Sequence, residues 1–345
     1  MFKIVSAMKQ ILRPLLFLTA VSVVLLLSDL QNRKGKSWPI EKTRIAIFRF
    51  TSNQTLEESE KGVLDKIHGS KKFSDGLIEI RKYCAEGDMA VANTIARNIV
   101  SEKFNMAVSI STTGLQIMAN ANKGGEILHV FCTATDPIGA GVGITGPAAN
   151  QHPSHLVGIG TFQPVERIFR IARQMNPELK KVGVVWCTSE SCSVACLTKA
   201  RVICKDLGIE LVEVSVETVS QVYEAALAVC SKGVEALWIG GDSVVEPVID
   251  MVIGAATKFN IPVFTNNPKH AFKGGMANLG ANYYEVGQTA GSMAVSLING
   301  LKTSSIEIKN VVPEKLYINE SVRKQMKGNW MLPEDLQARA DSIIR

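Results

Sequence analysis

Twice along this chain, short apolar runs alternate with segments of helical periodicity, and that order leaves few folds open. The first series sets strand-like residues 44–50, 77–81, 106–110 and 127–132 among helix-like stretches at 56–64, 88–103 and 115–121. The pattern then restarts with a helix at 163–174. Strands follow at 181–186, 211–214, 236–239, 263–265 and 273–279, with helices at 193–207, 219–230, 244–259 and 285–301. Strands alternating with helices of this length build parallel sheets covered on both faces. The fold class expected is α/β, with two Rossmann-like, doubly wound parallel-sheet lobes. Late elements are expected to cross back, so that neither lobe is contiguous in sequence.

Open sheets of this kind bind ligands beyond the carboxyl ends of their strands. Residues 131–141, Phe-Cys-Thr-Ala-Thr-Asp-Pro-Ile-Gly-Ala-Gly, read as such an end. An apolar run stops in hydroxyls, one carboxylate, a proline and glycines, which makes Thr135 and Asp136 candidate ligand contacts. Helix N-termini present free N–H groups that suit a carboxylate. Thr112 and Thr113 precede one such helix, and Ser189, Glu190, Ser191 and Ser193 precede another. Asp136 and Asp242, one from each lobe, are the acidic candidates at strand ends, and would receive the ammonium of the amino-acid ligand that the resemblance given below implies. Tyr283, beside Tyr284, would stack on an aromatic ligand or pack at a crossover. Each of these polar residues also suits an ordinary cap or turn.

Residues 141–146 spell G-x-G-x-x-G, but no nucleotide site is expected there. The dinucleotide fingerprint requires the glycines to open a helix after the first strand. Here Pro147 and Pro153 follow closely, and proline does not continue a helix from those glycines.

The net charge of +6 lies in residues 1–44, which hold eight basic and two acidic side chains. The remainder carries 30 of each sign, so it has no electrostatic footprint for nucleic acid. The basic residues flank an apolar run at 15–27, the length of a signal-peptide core. No small-x-small cleavage site follows, and the first cysteine is Cys84, so no lipobox follows either. Extended to 11–30, the run reads as an uncleaved helical anchor, with a cleaved signal peptide as the alternative. Charge on both flanks leaves its orientation undecided.

Seven cysteines show no zinc-ribbon or C-x-x-C spacing. Cys132, Cys196 and Cys204 read as small core hydrophobes, while Cys187, Cys192 and Cys196 are near enough in sequence for one disulfide or a metal site. The five histidines have no ligand spacing, and no nucleophile–base pairing stands out. No catalytic residue, metal or cofactor is expected.

Several segments in order carry a resemblance. Residues 131–141 are similar to a "tDPvgaG" segment, 180–185 (KKVGVV) to "KrvGvly", and 188–193 (TSESCS) to "psEaNS". Gly241-Asp242-Ser243 sits at "tDn", and 274–287 (GGMANLGANYYEVG) is close to "GalAalGvdYyelG". Residues 313–319, 330–336 and 338–341 match the ending. Over residues 44–345 the chain resembles the ABC-transporter substrate-binding proteins of the tryptophan/tyrosine type. The resemblance implies a type I periplasmic-binding-protein fold, hinged by crossovers near Thr161, Ala281–Asn282 and Asn310. It implies lobes of 43–160 plus 282–309 and of 161–281 plus 310–345, behind an anchor and linker at 1–36. It also implies a monomeric protein outside the cytoplasmic membrane, which is no enzyme, captures a small solute (an amino acid, aromatic by resemblance, or a related metabolite) between its lobes by hinge closure, and docks on an ABC permease.

The departures fall in loops facing the cleft. The loop "ehPaLD" is here 52–57 (SNQTLE), so Ser52 and Asn53 take those places. Cys192 and Ser243 replace asparagines, and Thr161 replaces an aspartate. Such changes redirect specificity, because losing one buried ligand partner costs roughly 1–3 kcal/mol. A membrane-anchored sensing module without a transport role is the alternative function. An α/β enzyme using Cys187 or Cys192 is a weaker one. A LacI-like repressor shares the core fold but would need a helix-turn-helix where residues 1–36 are a hydrophobic segment.

Overall fold

A computed structural model describes residues 19, 21–24 and 42–345. Of the N-terminal unit, Met1–Lys42, residues 19 and 21–24 are helical and exposed. The anchor expected at 11–30, the apolar run at 15–27 within it and the rest of the 1–36 anchor-and-linker segment lie largely outside the described residues. Among those described, no helix is long and apolar enough to cross a membrane.

Residues Thr43–Arg345 form one compact unit built on two sheets. The strands, in chain order, are β1 (Thr43–Arg49), β2 (Ile78–Cys84), β3 (Met106–Ile110), β4 (Leu128–Ala134), β5 (Leu156–Gly160), β6 (Lys181–Cys187), β7 (Glu210–Val216), β8 (Ala236–Ile239), β9 (Val263–Thr265), β10 (Ala277–Ala281), β11 (Lys309–Asn310), β12 (Glu314–Asn319) and β13 (Ser342–Ile344). The first sheet runs β11-β5-β4-β3-β1-β2 and the second β13-β12-β10-β9-β8-β6-β7. Every pairing is parallel except β10 with β12. The α/β expectation of two parallel-sheet lobes therefore holds.

Composition explains the order. All five residues of β3 and of β5 are buried, as central strands covered on both faces require. β2 carries Glu79, Arg81 and Lys82 with a half-exposed pattern, and it sits at the edge, where charge discourages further pairing. In the second sheet, Phe169 from the helix Val165–Met175 stacks on Trp238 and Phe264 at 5.1 and 5.3 Å between ring centroids. Burying aromatics of this size stabilises by roughly 1.5–3 kcal/mol each. The Trp238 indole N–H is satisfied by Asn266 Oδ1 at 3.0 Å.

One helix–helix contact ties the end of the chain to its beginning. The helix Tyr283–Ile298 lies on Gln54–His68 so closely that only glycines fit. A Cβ at Gly62 would stand 2.1 Å from the Tyr284 carbonyl oxygen, and one at Gly287 2.0 Å from that of Ser59. Ser59 at this seam donates to the Tyr283 carbonyl at 3.2 Å and meets Thr133 Oγ1 at 2.8 Å. The contact thus sets Tyr283 against the carboxyl end of β4.

Several boundaries differ from those read in the sequence. β5, β11, β12 and β13 were not anticipated, being either very short or without clear alternation. The strand placed at 273–279 begins only at Ala277, because a 3₁₀ segment, Pro268–Lys273, occupies the preceding stretch. The helix expected over 244–259 is broken by Pro247 into a 3₁₀ turn, Glu246–Val248, and a helix, Ile249–Lys258.

Candidate functional site

The carboxyl ends of both sheets meet at one cavity. Its walls include Asn53, Thr55, Ser111, Thr112, Thr133 and Thr135 from the first sheet's loops. Gln163, Cys192, Gly241, Asp242, Ser243 and Glu246 come from the second sheet's side, with Thr161 and Tyr283 between. Its volume is about 40 Å³, room for roughly three water-sized molecules at ~10–15 Å³ each.

On the first side, β3 is followed by Ser111, whose φ of 96° is unusual for a residue with a side chain. That turn lets Ser111 Oγ cap the next helix by accepting from the Gly114 N–H at 3.0 Å. The helix is Thr112–Ala121, so Thr112 and Thr113 lie in its first turn and not before it. Thr112 Oγ1 accepts from the Thr135 N–H at 3.0 Å, tying the β3 end to the β4 end. Thr133, with φ of 57°, is a second strained residue there. Asn53 caps Gln54–His68 through the Leu56 N–H at 2.9 Å.

On the second side, Asp242 is fully occupied. Its Oδ2 accepts from Ser193 Oγ and the Cys187 N–H, both at 2.7 Å. Its Oδ1 accepts from the N–H groups of Val244 and Val245 at 2.8 and 2.9 Å. Ser193 therefore serves Asp242 and leaves its hydroxyl proton no other use. Asp136 closes a turn, its Oδ1 accepting from the Gly139 N–H at 2.9 Å. It lies outside the small cavity, with Ser189 and Ser191, along an open groove of about 730 Å³. Ser52 lines a neighbouring pocket of about 100 Å³ and contacts Glu86 at 3.1 Å.

The two sides touch directly. Asn267 Nδ2, past β9, donates to Thr55 Oγ1 at 2.9 Å. Thr113 Oγ1 donates to Glu190 Oε2 at 3.2 Å, and Ser191 Oγ to Gln116 Oε1 at 3.5 Å. Tyr283 is buried, and its hydroxyl accepts from Gln163 Nε2 at 3.2 Å. Tyr284 turns away and donates to Asp65 at 2.8 Å.

The electrostatics are one-sided, for among the described residues no Lys or Arg lines the cavity. Burial, reinforced by the nearby Asp242, raises the Glu246 carboxyl to about 8. Burial and then Asp242 also raise Glu190. Burial pushes the thiol of Cys192 up as well, so that wall position is a neutral small hydrophobe. All seven cysteines are free, and no disulfide joins Cys187, Cys192 and Cys196. Among the described residues no cluster of His, Cys, Asp and Glu would hold a metal.

Of the residues picked out in the sequence, Asn53, Thr112, Thr135, Asp242 and Tyr283 line the cavity. Thr113 and Glu190 bridge its two sides. Sequence reasoning missed Glu246, Gln163, Thr55 and Thr133. Glu246 was hidden by a run read as helix interior, although Pro247 beside it marked a break.

The glycines of 141–146 lie elsewhere. Gly141 and Gly143 have φ of 72° and 84° and line a separate pocket of about 410 Å³ beside His155.

Comparison with known proteins agrees with this geometry. Residues 44–344 match the family described as ABC transporter substrate binding protein. A tyrosine-binding protein of Clostridioides difficile is 25% identical over 302 residues, covering 87% of this chain and 85% of that protein. A conserved domain protein from Vibrio cholerae superposes with a TM-score of 0.80 at 25% identity, covering 88% of this chain and 99% of that one. A Streptococcus domain solved with L-Trp also reaches 0.80, at 20% identity, covering 88% of this chain and all of that one. The chain belongs to the ABC transporter substrate-binding protein family.

Proposed function

We propose that this protein is the solute-binding component of an ABC importer and captures an amino acid or related metabolite in the cleft between its sheets. The observation that carries this is the cavity walled by strand ends of both sheets, whose sides are held together by Thr55–Asn267 and Thr113–Glu190. A site divided in this way fills and empties by hinge motion. The hinge would use the crossovers near Thr161, Ala281–Asn282 and Asn310, dividing the lobes as 43–160 plus 282–309 and 161–281 plus 310–345. Asn310 supports that placement, because its side chain accepts from the Phe162 N–H at 2.6 Å and so couples two crossovers.

The site residues proposed are Asn53, Thr112, Thr135, Thr161, Glu246 and Tyr283, with Thr113 and Glu190 as the closing pair. Asp242 positions the Ser191–Leu207 helix instead of meeting solute. The relatives that bind tyrosine or tryptophan make an aromatic amino acid the first candidate. A cavity of about 40 Å³ admits such a side chain only with the sides further apart. The protein would act as a monomer outside the cytoplasmic membrane, held by residues 11–30, and would hand its solute to a permease.

Thermal-shift screening of the full chain in mild detergent, against amino acids and related metabolites, tests the reading. A solute that binds only the folded state raises the melting temperature, by about 2.7 kcal/mol of stability at one hundred times its Kd. Silence across a broad metabolite library would remove the solute-binding reading.

A further inference from the structure

Two side chains on the cavity wall are chemically unfinished. Thr161 is 2% exposed, and among the described residues its hydroxyl has no hydrogen-bond partner. Buried hydroxyls are normally satisfied, so an orphan on a cavity wall marks the place of a polar ligand atom. Glu246 faces the same cavity, half-buried; the Asn267 side chain hydrogen-bonds its carboxyl, but no basic side chain pairs with it among the described residues. A carboxylate enclosed in this way without a counter-charge is costly, so a proton or a ligand cation is needed to neutralise it.

The groups around Glu246 do not supply that charge. Asp242, on its own segment, has both oxygens occupied. Cys192 and Tyr283 face the same cavity with their ionisation suppressed by burial. Across the Thr113 contact, Glu190 adds further negative character. The pocket of about 100 Å³ next to Glu246 holds His270 and Lys273. Burial keeps His270 neutral, at about 3, and the Lys273 ammonium is held by Asp250 at 2.8 Å.

We infer that Glu246 is the specificity-determining carboxylate of the cleft, taking the primary ammonium of the ligand while the Thr161 hydroxyl takes a second polar atom of the same molecule. This rests on the cleft being the solute site. At neutral pH the empty protein holds a proton on Glu246. An ammonium that docks there displaces the proton to solvent, one for one, and the ammonium itself stays charged. The chemistry that recognises the ligand is thus a primary ammonium, whether on an amino acid or on a simple amine.

Calorimetric titration of the full chain distinguishes these sources with six probes. They are L-alanine and L-tyrosine, their amino alcohols alaninol and tyrosinol, and the hydroxy acids lactate and 4-hydroxyphenyllactate. At least one ammonium-bearing probe is expected to bind, and the hydroxy acids are not. Amino acid over amino alcohol identifies a zwitterionic solute, and the reverse order a simple amine; both support the inference. Affinity for the bound probe is expected to rise about tenfold per pH unit between 6 and 7.5 and to level off above 8. Glu246→Gln is expected to weaken it at least tenfold and to flatten the pH profile. Thr161→Val is expected to weaken it a few-fold with the profile unchanged.

The wild-type pH series stands even if a variant fails to fold. A hydroxy acid that binds as well as its amino acid, or a flat wild-type profile, overturns the assignment of Glu246 and leaves the cleft reading intact. Silence from all six probes overturns the ammonium inference, while the broader metabolite screen decides the cleft separately.

Discussion

The Glu246 N–H donates to the Asp242 carbonyl at 3.0 Å, yet the carboxylates of these two residues have opposite circumstances. Asp242 accepts four hydrogen bonds from its own protein. Glu246 stands on the cavity wall without a counter-charge. One acid is saturated by its own loop, and the other has only the Asn267 side chain beside it.

That difference gives a pH signature in the ligand-free protein. Glu246 is raised from 4.5 to about 8 in the folded state. The folded protein therefore holds a proton that the unfolded chain has lost across that window. Its contribution to stability is full below about 4.5 and disappears as the pH rises through 8. Glu246→Gln removes this dependence, so its melting temperature is expected to exceed wild type at pH 8–9 by roughly 2–6 °C and to match it near pH 4.5. Scanning fluorimetry across pH 4–9 checks this, and parallel curves for the two proteins would contradict it.

Asp242→Ala behaves differently. It strands Ser193 Oγ and three backbone N–H groups at the start of a helix and a turn. A stability loss of about 2–4 kcal/mol is expected, independent of any solute. Urea unfolding measures it. A near-neutral effect would mean that water replaces the carboxylate.

Gly287→Ala is expected to cost about 3 kcal/mol or more. Its Cβ would press on the Ser59 carbonyl at 2.0 Å, and backbone offers no rotamer to yield. Gly254→Ala, where nothing lies within 4 Å of the added atom, is the control. It is helical and is expected to be neutral or slightly stabilising. Equal midpoints in denaturant for the two variants would refute the close-packing account.

Thr113→Val removes one of the contacts across the cleft, the hydrogen bond to Glu190. A bond of this kind to a charged group is worth roughly 1.5–3 kcal/mol at most, so the closed arrangement is expected to lose population without unfolding. Small-angle scattering of the ligand-free variant should show a larger radius of gyration than wild type. An unchanged radius would mean that the remaining contacts, such as Thr55–Asn267, suffice.

The cysteines offer a simple check on the interior. Burial raises Cys132 and Cys196 to about 12, and Cys204 likewise. Thiolate is the reactive form, so these groups are inert at pH 8. A disulfide-exchange reagent is expected to titrate Cys84, the half-exposed one, in the native protein and the others only after unfolding. Rapid labelling of several thiols would show that the core opens easily.

Much of this architecture was legible in the sequence because its central strands are short and uniformly apolar. Residues such as Met106–Ile110 leave no reading other than a covered parallel strand. The site was harder. Thr112 was visible between a strand and a helix and Thr135 at a strand end, whereas Asn53 came only from the resemblance of its loop. Asp242 was visible as a carboxylate at a strand end, but its four hydrogen bonds come from residues as distant as Cys187, and no local pattern reveals saturation. Glu246 failed the other way. Its environment is set by the absence of bases on segments far apart in sequence, which only folding brings together. The strands β11 and β13 were unreadable because two or three residues carry no periodicity.

The glycine seam between Gln54–His68 and Tyr283–Ile298 also constrains how the molecule assembles. Gly62 and Gly287 meet across more than 200 residues, so the layer over the first sheet stays incomplete until nearly the whole chain is available. Contacts of such long range make folding slow, because a large loop must close before the contact repays it. The first half, built from β1 to β5, must then wait with an apolar face uncovered. A nascent chain of this design therefore keeps apolar surface exposed until the helix Tyr283–Ile298 has emerged to cover it.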